Sequence, residues 1–197
     1  RRLIGLILTK FCRNTTMVMG VSIFKAMRVG FCFWQNPSGY SGGRYHAWLM
    51  ALSFAQRGHE VVVWTTGKPS FAGDFEPSIG NLNVITDPLF KNGPDGPFDW
   101  VVMCPHQKGG KHWHYAWLRW ALSKQARIMF VDYESPNWFR ETSGVNRPLY
   151  EWIPWGHMAR FASIVVSQTI TGSQYARDWY RSRGSSAEFV NAYPPVN

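Results

Sequence analysis

Two adjacent glycines, Gly42 and Gly43, lie where an apolar run of the sequence gives way to a helical pattern. Without Cβ atoms, they let the backbone N–H groups at the start of the helix approach a phosphate closely. Arg44 follows and adds positive charge at the same end. We expect these three residues to contact a phosphate group; the alternative is a plain tight turn between a strand and a helix.

Two common nucleotide-binding motifs are absent at this turn. The dinucleotide motif G-x-G-x-x-G is not matched, because position 41 is Ser41 and the second predicted strand ends in Thr65, Thr66 and Gly67 without an acidic residue. The P-loop motif G-x-x-x-x-G-K-[ST] does not occur in the chain. These differences argue against an NAD site and against a P-loop nucleotidase.

Residues 39–43 match the nucleophile elbow G-x-S-x-G of serine hydrolases. Ser41 would be the nucleophile, and Asp132 and His157 follow in the hydrolase order. The elbow comes after the first strand of the predicted fold, which leaves no upstream strand and loop to supply the second oxyanion-hole donor. A serine hydrolase therefore stays an alternative with incomplete structural context.

The elements that position these residues alternate between strands and helices from Met27 onward. Short apolar runs predict strands, and apolar residues at helical spacing predict helices. Strands are expected at 29–34, 61–65, 83–86, 99–104, 127–132, 163–169 and 187–191, and helices at 44–57, 111–124, 149–161 and 174–183. Apolar strands separated by helices predict an α/β fold with a Rossmann-like, doubly wound parallel sheet.

Composition narrows the class of protein. The 197 residues are 45% hydrophobic and 17% charged, which suits one cored domain. No apolar run reaches the roughly 18 residues of a spanning helix. Three cysteines without C-x-x-C spacing suggest neither a disulfide framework nor a zinc site, so we expect a cytoplasmic protein.

The formal net charge of +9 comes largely from the first 26 residues, which hold five Lys and Arg and no acidic residue. We interpret residues 1–26 as a basic extension that is not native or lacks order, and one that can contact an anionic membrane surface. Its apolar stretch is short and no A-x-A cleavage site follows, which argues against a signal peptide. Elsewhere Lys and Arg are scattered, so no nucleic-acid partner is expected.

Residues 27–66 resemble the opening of the family-four retaining glycosyltransferases of the GT-B fold. The shared features are a first strand, a GG loop, an amphipathic helix, an R-G-H-E-V turn and a second strand. The similarity continues in order through FDWVV at 98–102, the strand at 127–132, GSQYARDWY at 172–180 and YPPVN at 193–197.

This resemblance implies that residues 27–197 are the N-terminal, acceptor-side domain of a two-domain enzyme. That enzyme would move a sugar from a nucleotide-diphosphate donor to an acceptor hydroxyl, with retention and without a metal or other cofactor. The nucleotide-sugar domain with its E-x7-E pattern would follow Asn197, so this chain alone would be incomplete for catalysis. The alternative from another class is a stand-alone Rossmann-like binding module.

The resemblance also assigns candidate site residues. Gly42 and Gly43 match the GG loop that reaches the donor diphosphate, and Arg44 lies beside them. Many relatives carry a His at the end of the fourth or fifth strand, where this sequence has Cys104 and Asp132.

Candidates for the sugar-transfer chemistry therefore lie in the loops after these strands. His106, two residues beyond Cys104, is a candidate to bond the transferring sugar or an acceptor hydroxyl, and Asp132 or Glu134 to orient that hydroxyl. Expected acceptor contacts are Ser41, Tyr133 and Trp138.

Two tryptophans are further candidates for ligand binding, and two sequence patterns resemble metal-binding motifs. Trp34 and Trp113 lie near strand ends, where aromatic rings can stack on sugars or nucleobases. The sequence Asp132-Tyr133-Glu134 resembles a D-x-D metal motif of the GT-A fold, but the glycine turn after the first strand argues against that fold. His112 and His114 are two residues apart on a helix and point to different sides, so they are not a ready metal pair.

Overall fold

The computed structural model describes residues 16–18, 21–23, 25–35, 42–68, 80–105, 111–133, 153–167 and 173–191. Two three-residue strands, β1 (Thr16–Val18) and β2 (Val21–Ile23), pair antiparallel. Strands this short cannot show a hydrophobic period, which is why the sequence did not predict them.

The remaining strands form a seven-stranded sheet in which every neighbouring pair is parallel. They are β3 (Arg28–Phe33), β4 (Glu60–Thr65), β5 (Leu82–Thr86), β6 (Trp100–Cys104), β7 (Arg127–Asp132), β8 (Ile164–Ser167) and β9 (Glu188–Asn191). Their order is β5-β4-β3-β6-β7-β8-β9. The chain moves outward from β3 in one direction and then, from β6, in the other, so the strand order reverses between β3 and β6.

Four helices are described: α1 (Gly42–Gln56), α2 (Lys111–Ser123), α3 (Ile153–Phe161) and α4 (Ser173–Ser182). The chain leaves α1 through Gly58, whose φ of +85° is a left-handed conformation that glycine adopts without steric cost. The N–H of Gly58 donates to the carbonyl of Ala55 at 2.9 Å, and that of His59 donates to Phe54 at 3.3 Å. These bonds close the helix end before β4 begins.

Two apolar layers cover the two faces of the sheet. One layer packs α1 against the side of β3 that carries Phe31 and Phe33, and the other packs side chains of α2, α3 and α4 against the opposite side, which carries Cys32. All but the first residue of β3, β4 and β7 is buried, as expected for parallel strands covered on both faces.

The predicted strands and helices from residue 29 onward are confirmed within about two residues wherever the structure describes them, and so is the doubly wound parallel sheet. Along the described part of the chain, no helix has the length and apolar character needed to cross a membrane.

Candidate functional site

The carboxyl edge of the sheet between β3 and β6 is the point where ligands bind in open α/β folds. The chain leaves β3 here and returns to begin α1, and the adjacent ends of β6 and β7 bring Cys104 and Tyr133 to the same edge. Hydrogen bonds fix the exit of β3: the N–H of Gln35 donates to Thr66 Oγ1 at 2.8 Å, and that hydroxyl donates to the Gln35 carbonyl at 2.7 Å.

The two glycines form the first two positions of α1 but have different surroundings. A Cβ added at Gly42 would meet no atom within 4 Å, and Gly42 is exposed. A Cβ added at Gly43 would lie 3.4 Å from Cγ of Tyr133 and 3.5 Å from its Cδ2. No acidic side chain lies in the first turn of α1, so its N–H groups and positive dipole end can act on an anion.

Tyr133 packs its ring against this turn at Gly43. Its ring packs against the same apolar layer as α1, and its hydroxyl oxygen is shielded from solvent beside the Cys104 thiol. Burial, followed by the neighbouring Cys104, raises the pKa of Tyr133 well above its usual value. Burial raises the pKa of Cys104 to about 12, and contact with Tyr133 opposes this rise to a smaller extent. Both groups are therefore protonated and neutral at pH 7.

Arg44 lies behind the glycines, in contact with an aromatic stack. Its side chain is buried, and its guanidinium carbon lies 5.1 Å from the ring centre of Trp34. Trp34 stacks on Trp113 with ring centres 6.0 Å apart and planes inclined by 18°. Burial lowers the pKa of Arg44 from its usual value, though the group stays cationic at pH 7. Trp34, directly after β3, therefore contacts both Arg44 and Trp113, which lies in the first turn of α2.

Asp132, the last residue of β7, is fully buried on the opposite face of the sheet from Tyr133. It lies beside the buried phenol of Tyr180 in α4. Burial, followed by the neighbouring Asp132 carboxylate, raises the pKa of Tyr180 well above its usual value. The predicted contact between Asp132 and an acceptor hydroxyl remains a prediction; in this structure the carboxylate faces α4.

Several predicted site residues lie outside the described residues: Ser41, His106, Glu134 and Trp138. Of the three residues of the hydrolase alternative, the structure describes Asp132 and His157. His157 Nδ1 lies 2.9 Å from the Tyr115 hydroxyl, with which it shares a hydrogen bond, whereas Asp132 lies beside Tyr180. The described contacts thus do not join Asp132 to His157.

Among the described residues, no group of three or more His, Cys, Asp or Glu side chains could hold a metal ion. His114 is buried against Trp117, with ring centres 5.3 Å apart, so it belongs to the interior packing of α2.

The contact of Gly43 with Tyr133 and that of Asp132 with Tyr180 were not predicted from the sequence. Each joins residues far apart in the chain, and no local spacing signals it. The polar residue types at the strand ends are the only sequence signal that points toward these positions.

The parallel sheet with its glycine turn matches the Rossmann-like half-domains of GT-B structures, which confirms the expected fold class. Solved structures with this fold include HepE from Anabaena in complex with UDP, with a TM-score of 0.55 and 13% identity over 87% of this chain and 45% of the HepE chain.

HepE in complex with UDP-glucose gives a TM-score of 0.56 at 12% identity, covering 87% of this chain and 44% of the HepE chain. Sucrose-phosphate synthase from Thermosynechococcus elongatus gives 0.58 at 11% identity, covering 87% of this chain and 49% of the synthase. The chain spans about half the length of these proteins, and identities this low show the fold alone. No protein-family model and no curated protein matches the sequence.

Proposed function

We propose that this chain is the N-terminal, acceptor-side half of a retaining glycosyltransferase that resembles family four. The enzyme would take a nucleotide-diphosphate sugar as donor and transfer the sugar to an acceptor hydroxyl. The half that carries most of the nucleotide site would be a second Rossmann-like domain.

The observation that carries the proposal is the glycine start of α1 at the switch point of the sheet. The first-turn N–H groups and the positive end of the helix dipole favour an anion there, and a Cβ at Gly42 would meet no atom within 4 Å. The fold likeness to HepE, whose structures contain UDP and UDP-glucose, supports a diphosphate as that anion.

In this proposal the chain stabilises the charge that develops on the leaving diphosphate. Fixed N–H dipoles aimed at a developing negative charge act without reorganisation during the reaction. Gly42 and Gly43 supply the backbone approach, and Arg44 adds positive potential from its place beside Trp34. His106, Asp132 and Glu134 are the candidates to hold the acceptor hydroxyl, with Ser41 and Trp138 as acceptor contacts. No metal ion is assigned a step.

The test uses the complete natural protein that contains this chain. It is incubated with UDP-, GDP- and ADP-sugars, and release of the nucleoside diphosphate is measured with and without carbohydrate and lipid acceptors. We expect one nucleotide sugar to be turned over, and proton NMR of the product to show the anomeric configuration of the donor. Inverted configuration would overturn retention, and absence of turnover and of nucleoside-diphosphate binding would overturn the transferase.

The same experiment separates the alternative of a stand-alone binding module. A module without transferase activity would bind a nucleoside diphosphate by calorimetry but release none from a nucleotide sugar. Replacing Gly43 by Val in the complete protein adds a direct check of the glycine turn. If donor affinity and turnover stayed at the wild-type level in this variant, the diphosphate would not bind at this turn.

A further inference from the structure

The two glycines at the start of α1 have different surroundings. The side of Gly42 that a Cβ would occupy is open, whereas the equivalent side of Gly43 faces the Tyr133 ring at 3.4 to 3.8 Å. The same substitution should have different effects at a glycine beside open space and at a glycine in contact with a side chain. The pair therefore need not act as one diphosphate-binding unit.

Tyr133 is well placed to fix the start of the helix. It follows β7 directly, its ring lies against Gly43, and its hydroxyl lies beside Cys104 at the end of β6. Cys104 is in turn paired in register with Phe33 at the end of β3. One side chain thus connects the first turn of α1 to the ends of the central strands.

We infer that Tyr133 is a positioning residue for the donor diphosphate, acting through Gly43 on the first turn of α1. In this assignment Gly42 leaves room for the diphosphate, and the Tyr133 ring lies against Gly43, where a Cβ would be in van der Waals contact with it. The inference rests on the proposed function for its substrate. The acceptor contact expected at Tyr133 is the alternative, and it differs in which substrate KM the residue controls.

Steady-state kinetics of the complete enzyme test the assignment. We expect Tyr133→Ala to raise the donor KM about tenfold, because misplacement of binding groups by a fraction of an ångström is costly. The kcat should fall as well, because the same N–H groups stabilise the charge on the leaving diphosphate, whereas the acceptor KM should stay near the wild-type value. Tyr133→Phe keeps the ring against Gly43 and should leave the donor KM nearly unchanged. An acceptor contact would instead show a raised acceptor KM in Tyr133→Ala, and this result would overturn the inference.

A double-mutant cycle tests the contact itself. Val at position 43 would press into the Tyr133 ring, so Gly43→Val should raise the donor KM in the wild-type background and raise it much less in the Tyr133→Ala background. Equal effects in both backgrounds would mean that the Val side chain meets the ligand and not Tyr133, which would overturn the inference.

Amide hydrogen exchange gives a measurement that needs no donor and no activity. Loss of the ring should accelerate exchange about tenfold at residues 46–49, whose N–H groups close the first turn of α1, while Tyr133→Phe leaves it unchanged. Phe54→Leu is the matched control: it perturbs the buried far end of the same helix and should lower stability without changing the donor KM. Normal exchange in Tyr133→Ala would overturn the inference even if the protein were not a transferase. Faster exchange without any turnover would instead leave the helix contact standing and overturn the proposed function.

Discussion

At the scale of single residues, the glycine turn has a division of roles that composition alone does not show. Gly42 and Gly43 are identical in type and adjacent in the chain, and only the fold distinguishes them, because Tyr133, which contacts Gly43, lies 90 positions further along the chain. The consequence is that substitutions at Gly42 and Gly43 should differ in effect even when the new side chain is the same.

Alanine at each glycine gives the first prediction. Gly42→Ala adds a methyl group at the first position of α1, where it meets no atom within 4 Å, and should raise the donor KM of the complete enzyme about tenfold by keeping the diphosphate from the backbone N–H groups. Gly43→Ala adds a methyl group at ordinary contact distance from Tyr133 and should change the donor KM by about twofold or less. Equal donor KM values in the two variants would contradict the assignment.

A third glycine matters for packing and not for binding. A Cβ added at Gly30 in β3 would lie 2.7 Å from Cη2 of Trp120, a buried ring that cannot retreat easily because its Nε1 donates to the Pro94 carbonyl at 3.0 Å. We predict that Gly30→Ala lowers the free energy of unfolding by about 1–3 kcal/mol through overpacking. Urea unfolding measures the loss. Gly80→Ala is the control, since a Cβ there meets no atom within 4 Å, and a loss of equal size in both variants would contradict the packing argument.

At the scale of elements, the sequence predicts the helices and strands well because each carries its own local signal. The strand β4, for instance, is a run of β-branched residues buried on both faces, and α1 shows apolar residues at helical spacing followed by Gly58. The directions of side chains at the strand ends carry no such signal. Asp132 and Tyr133 are neighbours in sequence, but the alternation of a strand sends them to opposite faces, one toward α4 and the other toward α1.

The junction between α1 and β4 gives the element-scale prediction. Asn81 Nδ2 donates to the carbonyls of Ala55 at 2.8 Å and His59 at 2.9 Å, and the Asn81 carbonyl accepts from the N–H of Val61 at 2.8 Å. Asn81→Ala leaves the first two carbonyls without this donor and should cost about 1–3 kcal/mol of stability.

Chemical denaturation of Asn81→Ala measures this cost. The matched control is Asn83→Ala on β5, where the side chain is exposed and the expected change is small. If the two variants lost stability equally, the helix-end bonds of Asn81 would not be the cause.

At the scale of the whole molecule, buried titratable groups predict how stability depends on pH. Burial, followed by the positive charge of the neighbouring Arg57, lowers the pKa of His59 from 6.5. As pH falls, the unfolded chain therefore binds a proton at His59 at a higher pH than the folded chain does. His46 shows the same direction from burial. The stability that these histidines contribute is complete above pH 6.5 and is lost as pH falls below it.

Cysteine and tyrosine act at the other end of the pH range. The pKa of Cys104 rises from 9.0 to about 12 on folding, so its contribution is complete below pH 9 and is lost as pH rises toward 12. A difference of this size corresponds to about 4 kcal/mol, a large share of the usual stability of a domain. Burial shifts the pKa values of Cys32, Tyr133 and Tyr180 in the same direction.

We therefore predict that the melting temperature is constant between about pH 7 and pH 8.5 and declines on both sides of this range. The alkaline decline should be the steeper one, because the two cysteines and two tyrosines named above lose their protons in the unfolded chain and keep them in the folded one. Thermal unfolding followed by circular dichroism from pH 5 to pH 11 measures it. Cys104→Ser removes one of those groups and should make the alkaline decline shallower, while His59→Asn should do the same on the acid side. A melting temperature that rises above pH 9, or an alkaline decline unchanged in Cys104→Ser, would show that these groups do not keep their protons in the folded protein.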